Sequence, residues 1–362
     1  MTHKEQLLKA INKIETKRPA VYCSVVPQLA ERLSEYFGIP CEQPLDSLLG
    51  SRISYRDLML KLGSDCVCVS YCAPDNAPTR TLENGRIVNE FGMVMERHGL
   101  YDEFVEFPLS HAETVEDIEN YPFPDANDPG RFRYAEETVK KFGKDYGIIG
   151  DLECCIYETS WYLVGLEKLL MDMAMEKPYV DALFDKVAHF STECGKKMVE
   201  MGVDVIWCGD DFGTQNGPVM SVKMFDRYFA PRIEKMFKAF KEINPNVKIA
   251  WHSCGSILPL IPRFIDVGLD ILNPIQPLAR GMEPQYLKDT YGDRLCFFGG
   301  ICVQELLPHG TPQQIKAEVK RRARILGKGG GYILAPAHNI QADTPVENVL
   351  AMFEAVKEME EE

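Results

Sequence analysis

Apolar and polar positions along this chain repeat with two periods, one helical and one extended. Residues 4–15 space Leu7, Leu8, Ile11 and Ile14 along one helical face. Ala20 to Val26 then runs apolar after Arg18-Pro19, as a first strand would. Glu31 to Phe37 reads as a helix stopped by Gly38 and Pro40, and Tyr55 to Leu62 as another followed by Gly63. Cys66 to Ser70 is a second strand. Residues 79–107 alternate around the turn Glu83-Asn84-Gly85-Arg86 and predict a β-hairpin excursion outside the main sheet. Pro108 to Pro129, rich in Pro, Asp and Asn, predicts loop with a short helix at Val115–Glu119.

From residue 131 the two periods alternate regularly. Helix Tyr134–Phe142 precedes strand Tyr146–Leu152, and helices Gly165–Met175 and Tyr179–Met201 precede strand Asp204–Cys208. Helix Met224–Ile243 leads to strand Val247–His252, and helix Leu258–Val267 to strand Leu269–Asn273. Pro284–Tyr291 precedes strand Leu295–Gly299, Pro312–Leu326 precedes strand Gly331–Ala335, and a helix at Pro345–Lys357 follows. Thr311-Pro312-Gln313-Gln314 and Thr344-Pro345-Val346-Glu347 both read as capping boxes with Pro at the first helical position.

Strands alternating with helices imply a parallel sheet covered on both faces. The count reaches eight strands, which close naturally into an α/β (β/α)8 barrel with an N-terminal helical lead. An open doubly wound sheet is the alternative, but no G-x-G-x-x-G or Walker glycine pattern follows any strand. Gly327-x-Gly329-Gly330-Gly331 precedes a strand and reads as a turn. The whole chain, 1–362, is expected to be one such domain.

Composition narrows the class. At 45% hydrophobic and 26% charged residues the chain resembles an ordinary globular protein, with no apolar run long enough for a transmembrane helix. Twelve cysteines without a secretion signal predict reduced thiols in a cytoplasm. A net charge of −14, from 54 acidic against 40 basic residues, argues against nucleic acid or an anionic membrane as partner.

Chemistry in such a barrel sits at the C-terminal strand ends. The fifth strand ends in His252-x-Cys254-Gly255. Residues i and i+2 of an extended chain point to one side, so imidazole and thiol can face one point, and both ligate Zn²⁺. A buried cysteine beside a hydrogen-bonded histidine is the plain alternative. The eighth strand carries His338 to the same mouth, completing a three-ligand set with an open position. Glu153, Asp210 and Asp211 follow the third and fourth strands as candidate catalytic or ligand-orienting carboxylates. Tyr71, Gln215, Asn273 and Gln276 are the candidate substrate contacts.

The order of elements resembles the uroporphyrinogen decarboxylase superfamily over nearly the whole chain. The likeness is clearest in Pro122-Phe123-Pro124-Asp125, Gly165-Leu166-Glu167, Asp210-Asp211-Phe212-Gly213-Thr214, Trp251-His252-Ser253-Cys254-Gly255 and Ala335-Pro336-Ala337-His338 through Asp343-Thr344-Pro345. That superfamily has a (β/α)8 barrel, and it contains decarboxylases and zinc-dependent methyltransferases that work with corrinoid proteins. Its decarboxylases carry an arginine-rich stretch after the first strand. Here residues 24–33 read S-V-V-P-Q-L-A-E-R-L, with Arg32 alone basic. They also carry an Asp after the second strand, where this chain has Ser70-Tyr71-Cys72. The H-x-C-G after the fifth strand resembles the zinc motif of the methyltransferases, whose third ligand, often Cys, falls where His338 stands.

The resemblance therefore implies Zn²⁺, a corrinoid (cobalamin) carried by a separate protein, and a small methyl donor or acceptor. No D-x-H-x-x-G cobalamin motif is present in this chain. A homodimer is an assembly left open. Two imidazoles and one thiolate leave the ion a charge of about +1, which favours polarising a methoxy or hydroxyl oxygen over activating a thiolate. Demethylation of a small methoxylated compound is accordingly expected ahead of methylation of a thiol. Decarboxylation of a tetrapyrrole and non-catalytic binding of a tetrapyrrole or small molecule are the alternatives.

Overall fold

A computed structural model describes residues 1–45, 52–98 and 101–361 of the chain. Eight parallel strands lie in one sheet: β1 (Ala20–Val21), β2 (Cys66–Ser70), β3 (Gly147–Leu152), β4 (Val205–Gly209), β5 (Lys248–His252), β6 (Ile271–Ile275), β7 (Cys296–Ile301) and β8 (Tyr332–Pro336). Sequential neighbours pair from β2 through β8, and β8 returns to β1. The Asp65 N–H donates to Val21 O at 2.8 Å and draws the β1 and β2 edges together. The fold is the expected (β/α)8 barrel.

Strand alternation builds two apolar layers. Ala20, Tyr22, Cys66, Cys68, Ile149, Val205, Trp207, Ala250, Ile271, Phe298 and Ile333 fill the barrel interior. Their neighbours Val67, Ile148, Ile206, Ile249, Trp251, Leu272 and Phe297 face outward to the helices. The period of two decides the site as well. His252 shares the inward parity of Ala250, while Trp251 faces out, stacked on Phe212 and packed at a tilt against Phe264.

The excursion is larger than a hairpin. Arg80–Thr81, Ile87–Val88, Val94–His98 and Tyr101–Glu106 form a four-stranded antiparallel sheet around the expected Asn84-Gly85 turn. Residues 99 and 100 of that stretch lie outside the described residues.

Several elements depart from expectation for local reasons. The first helix is His3–Ile11, ended by Lys13 in the left-handed region, so Ile14 is exposed. The first strand keeps only Ala20–Val21, and its ladder resumes at a single bridge between Val25 and Ile340. Pro231 breaks the helix expected at 224–243 into Val222–Tyr228 and Ala230–Ile243. The Thr311 capping box forms, but the Thr344 hydroxyl is buried with no hydrogen-bond partner among the described residues. Helices Tyr157–Val164 and Leu306–His309 carry no period that the sequence reading recognised.

Candidate metal centre

The site begins where β4, β5 and β6 end. His252 on β5 is the register partner of Gly209 on β4 and of Asn273 on β6. A Cβ at position 209 would stand 2.8 Å from the Cβ of His252, so glycine is required for the imidazole to root there. The Asn273 side-chain amide donates to Phe298 O at 3.4 Å, which turns its Oδ1 toward His252 Nδ1, 2.7 Å away. That bond places the imidazole proton on Nδ1 and leaves Nε2 bare. Nε2 lies 3.3 Å from Cys254 Sγ.

Cys254 is held by its loop. Gly255, at φ +81°, turns the chain, and its N–H donates to Gln276 Oε1 at 2.8 Å. The Ser256 N–H donates to Thr214 O at 2.7 Å and ties this loop to the one after β4. The Cys254 N–H donates to Asp211 Oδ1 at 2.7 Å. His338 enters from the loop after β8, its ring 6.2 Å from that of His252 and tilted toward edge-on. One ligand atom from each of His252, Cys254 and His338 lies within 4.8 Å of the others. Among the described residues no other three His, Cys, Asp or Glu side chains gather in this way.

The electrostatics suit a metal. Burial pushes the His252 imidazole well below its ordinary pKa, with help from the nearby Arg52 and His338. His338 presents an exposed edge, yet crowding at the rim and the Arg52 charge lower it too, with Asp211 opposing. Both rings are thus neutral, the form that ligates. Burial and Asp211 push the Cys254 thiol well up, so it keeps its proton until a cation favours the thiolate. Two bare imidazole nitrogens and one such thiol make a donor set that Zn²⁺ fits.

The other expected residues take distinct places. Asp211 lies beside the ligands, with Oδ1 3.6 Å from His252 Nε2. Asp210 is fully buried and turned the other way, accepting the backbone N–H groups of Ile156 and Glu158 at 3.0 and 2.9 Å. It caps the helix Tyr157–Val164 from 54 residues along the chain. Glu153 pairs with Arg52, whose guanidinium lies over the Trp207 ring at 4.3 Å. Asn273 and Gln276 hold the ligand His252 and the ligand loop respectively. Gln215 is exposed on the loop after β4 and accepts the Arg280 N–H through its carbonyl. Tyr71 faces the outer layer, buried edge-on against Phe190.

Two side chains at this mouth escaped the sequence reading. Arg52 follows no periodic pattern, and its partners Glu153 and Asp151 come from β3 and the loop beyond it. Glu158 lies on the helix Tyr157–Val164, which no period in the sequence marks; a second carboxylate five residues after Glu153 was its one signal. Burial and the Asp211 charge push its carboxyl up to about 7.

The sign of the resulting pH dependence follows directly. The folded chain keeps a proton on Glu158 that the unfolded chain loses near its ordinary value of 4.5. Stability therefore falls as pH rises from about 4.5 to about 7. Asp210, also raised by burial and by Glu158, adds a slope of the same sign. Glu158→Gln should shrink the difference in Tm between mildly acidic and mildly alkaline buffer, leaving the Asp210 part. An unchanged slope in melting curves would mean that Glu158 ionises normally.

Fold and site together define a (β/α)8-barrel protein with a His-Cys-His cluster at the C-terminal mouth. More particularly, the chain belongs to the uroporphyrinogen decarboxylase (URO-D) family, which matches it over residues 98–359. It is 28% identical over 220 residues to the methylcobamide:CoM methyltransferase MtaA of Methanosarcina barkeri, covering 60% of this chain and 59% of that protein. It is 24% identical over 195 residues to the uroporphyrinogen decarboxylase of a Synechocystis strain, covering 54% and 52%. The chain thus spans between half and three fifths of the length of these relatives. A solved structure of a methyltransferase from Methanosarcina mazei superposes with a TM-score of 0.69 at 21% identity, covering 99% of both chains. That likeness supports the barrel. No helix among the described residues is long and apolar enough to cross a membrane.

Proposed function

We propose that this chain is a corrinoid-dependent methyltransferase, with zinc held by His252, Cys254 and His338, exchanging a methyl group between a small substrate and a corrinoid protein. The observation that carries the reading is the convergence of three ligand atoms within 4.8 Å at the barrel mouth. A family relative named a methylcobamide:CoM methyltransferase supports it. When bound, zinc would supply a Lewis acid for the substrate heteroatom, and the partner's corrinoid the methyl carrier. Asn273 keeps the His252 tautomer that can ligate, and Asp211 holds the Cys254 backbone. We take the whole chain as the working unit, and the cytoplasm as its place because all twelve cysteines are free thiols.

Two features favour an oxygen-bearing methyl donor. The N₂S ligand set leaves the ion a charge of about +1 and so a strong Lewis acid. Beside His252 and His338 lies a cavity of about 20 Å³, lined also by Tyr22, Arg52 and Trp207. Trp207 Nε1 is a buried donor with no hydrogen-bond partner among the described residues, and buried Arg52 Nη1 has only the Asp151 carboxylate, 3.6 Å away and beyond hydrogen-bond reach. Such donors call for an oxygen acceptor more than for a thiol. Demethylation of a small methoxylated compound is therefore the leading direction.

Methylation of a thiol is the second reading, favoured by the relative's name. Decarboxylation of a tetra-anionic substrate fits less well. Arg32, the one basic residue in the stretch 24–33, is turned away from the mouth and donates to Ala342 O and Thr344 O at 2.7 and 2.9 Å.

The test mixes the protein with Co(I) corrinoid protein and a panel of methyl ethers, and separately with methyl-Co(III) protein and thiols. The cobalt spectrum is followed in both. Methylation of Co(I) by an ether is the expected result. Demethylation of methyl-Co(III) by a thiol, with no ether reacting, would reverse the direction, and silence in both arms would reject methyl transfer.

A further inference from the structure

Three acidic side chains follow one another behind Cys254. Asp210 Oδ1 accepts the Glu158 N–H at 2.9 Å, and Glu158 Oε2 accepts the Asp211 N–H at 3.0 Å. Asp211 Oδ1 in turn accepts the Cys254 N–H at 2.7 Å. Each carboxyl thus holds the backbone of the next residue in the series, and the last of them is a candidate metal ligand. Asp210 fixes the start of the helix, and Asp211 touches the ligand loop. Glu158 is the link between them.

Glu158 is itself fixed from the far side. Its Oε1 accepts the Tyr162 hydroxyl at 3.1 Å, one turn along the same helix. The Tyr162 ring stacks on Phe104 of the antiparallel sheet, with centroids 4.2 Å apart. The Cys154 thiol approaches Oε2 at 3.6 Å, from a residue at φ +67°. A left-handed conformation at a residue with a side chain is uncommon and costs free energy. Here it brings the Cys154 thiol onto the carboxyl. The Asp211 N–H is thus satisfied by a carboxyl that is itself held on both oxygens. That arrangement holds the Asp211 main chain, from which the Asp211 carboxylate reaches the Cys254 N–H.

We propose that Glu158 is a positioning residue for the metal centre. It holds the Asp211 main chain so that Asp211 Oδ1 can fix the Cys254 N–H and keep Sγ beside His252 Nε2. The proposal rests on the ligand assignment made above, and the second measurement below separates the two. Its substance is geometric: Glu158 hydrogen-bonds to none of His252, Cys254 and His338 among the described contacts, and acts on the Cys254 backbone through Asp211.

The experiment compares wild type, Glu158→Ala and Glu158→Gln by two readouts. The first is Co²⁺ titration, followed by the thiolate-to-cobalt absorption that reports Sγ as a ligand. Outer partners of metal ligands typically contribute about 10–100-fold to affinity. The Ala variant should therefore bind Co²⁺ at least about tenfold more weakly, with a weakened thiolate band. The Gln variant retains an oxygen acceptor for the Asp211 N–H and should stay within about threefold of wild type. The second readout is hydrogen exchange in the metal-free protein. The segment containing Cys254 should exchange faster in the Ala variant, while the helix Pro312–Leu326, which packs against β7 and β8 and not on the Cys254 loop, keeps its rate. An Ala variant with wild-type exchange at Cys254 overturns the proposal, as does wild-type cobalt affinity with an unchanged band. Failure of the wild type to bind Co²⁺ would reject the metal reading alone, and the exchange comparison would still decide what Glu158 holds.

Discussion

Cys254→Ala should abolish stable zinc binding while leaving the barrel folded. Losing an outer partner of a ligand already costs about 10–100-fold in affinity, so losing a ligand atom itself should cost more than about a hundredfold. Cys254 is also the one anionic ligand of the proposed set; without it two neutral imidazoles are left to hold a divalent ion. The fold should survive because the residue is only partly buried and sits in a loop beyond β5. Its backbone N–H bond to Asp211 does not depend on the side chain. Purified wild type should contain about one zinc per chain and the variant almost none after dialysis, with circular dichroism melts within a few degrees of each other. A wild type that carries no metal from zinc-replete cells, or a variant that retains it, would sink the assignment.

Asp210→Ala should do the opposite, removing stability before it removes chemistry. Asp210 is fully buried and accepts two backbone N–H groups at the start of the helix Tyr157–Val164. That helix has no cap from its own N-terminal side chains. Its removal leaves buried donors unpaired at about 1–3 kcal/mol each, so a loss on the order of 3 kcal/mol is expected in urea unfolding. Part of that loss is offset, because the charged carboxylate is itself disfavoured by burial and by Glu158. Metal content per folded chain should fall no further than in Glu158→Ala, because Asp210 reaches Cys254 only through Glu158 and Asp211. If the variant instead unfolds like wild type but fails to turn over, Asp210 meets the substrate after all, and its place among the candidate catalytic carboxylates is restored. Asp211→Asn is the matched comparison, since Asp211 is part-exposed and lies against the ligands.

How much of this was legible in the sequence depends on whether the cause was local. The alternation of Ile249, Trp251 and Ala250, His252 is a property of extended chain, so the outward Trp251 and inward His252 follow from parity alone. Eight alternating units imply closure, and closure implies a common mouth, which is why His252, Cys254 and His338 could be grouped across 86 residues (338 − 252) before any coordinates. The Thr311 capping box, the Asn84-Gly85 turn and the helix stops at Gly38 and Gly63 are likewise contained in a few adjacent residues.

What escaped was set by contacts distant in sequence. The helix Tyr157–Val164 shows no clear helical period because aromatic and β-branched residues make up most of it, and its capping carboxylate is Asp210 on another strand's loop. Asp210 and Asp211 are adjacent, yet one turns back into a helix end and the other toward the ligands; nothing in the pair itself distinguishes them. Arg52 reaches the mouth from a segment with no pattern, and Glu158 becomes part of the site only because its helix forms. Chain periodicity therefore determined the barrel, its inward face and the identity of the candidate ligands. Tertiary structure alone decided which carboxyl serves which neighbour, because hydrogen-bond partners are chosen by proximity in space, and two side chains one residue apart on a turning backbone point to different neighbours.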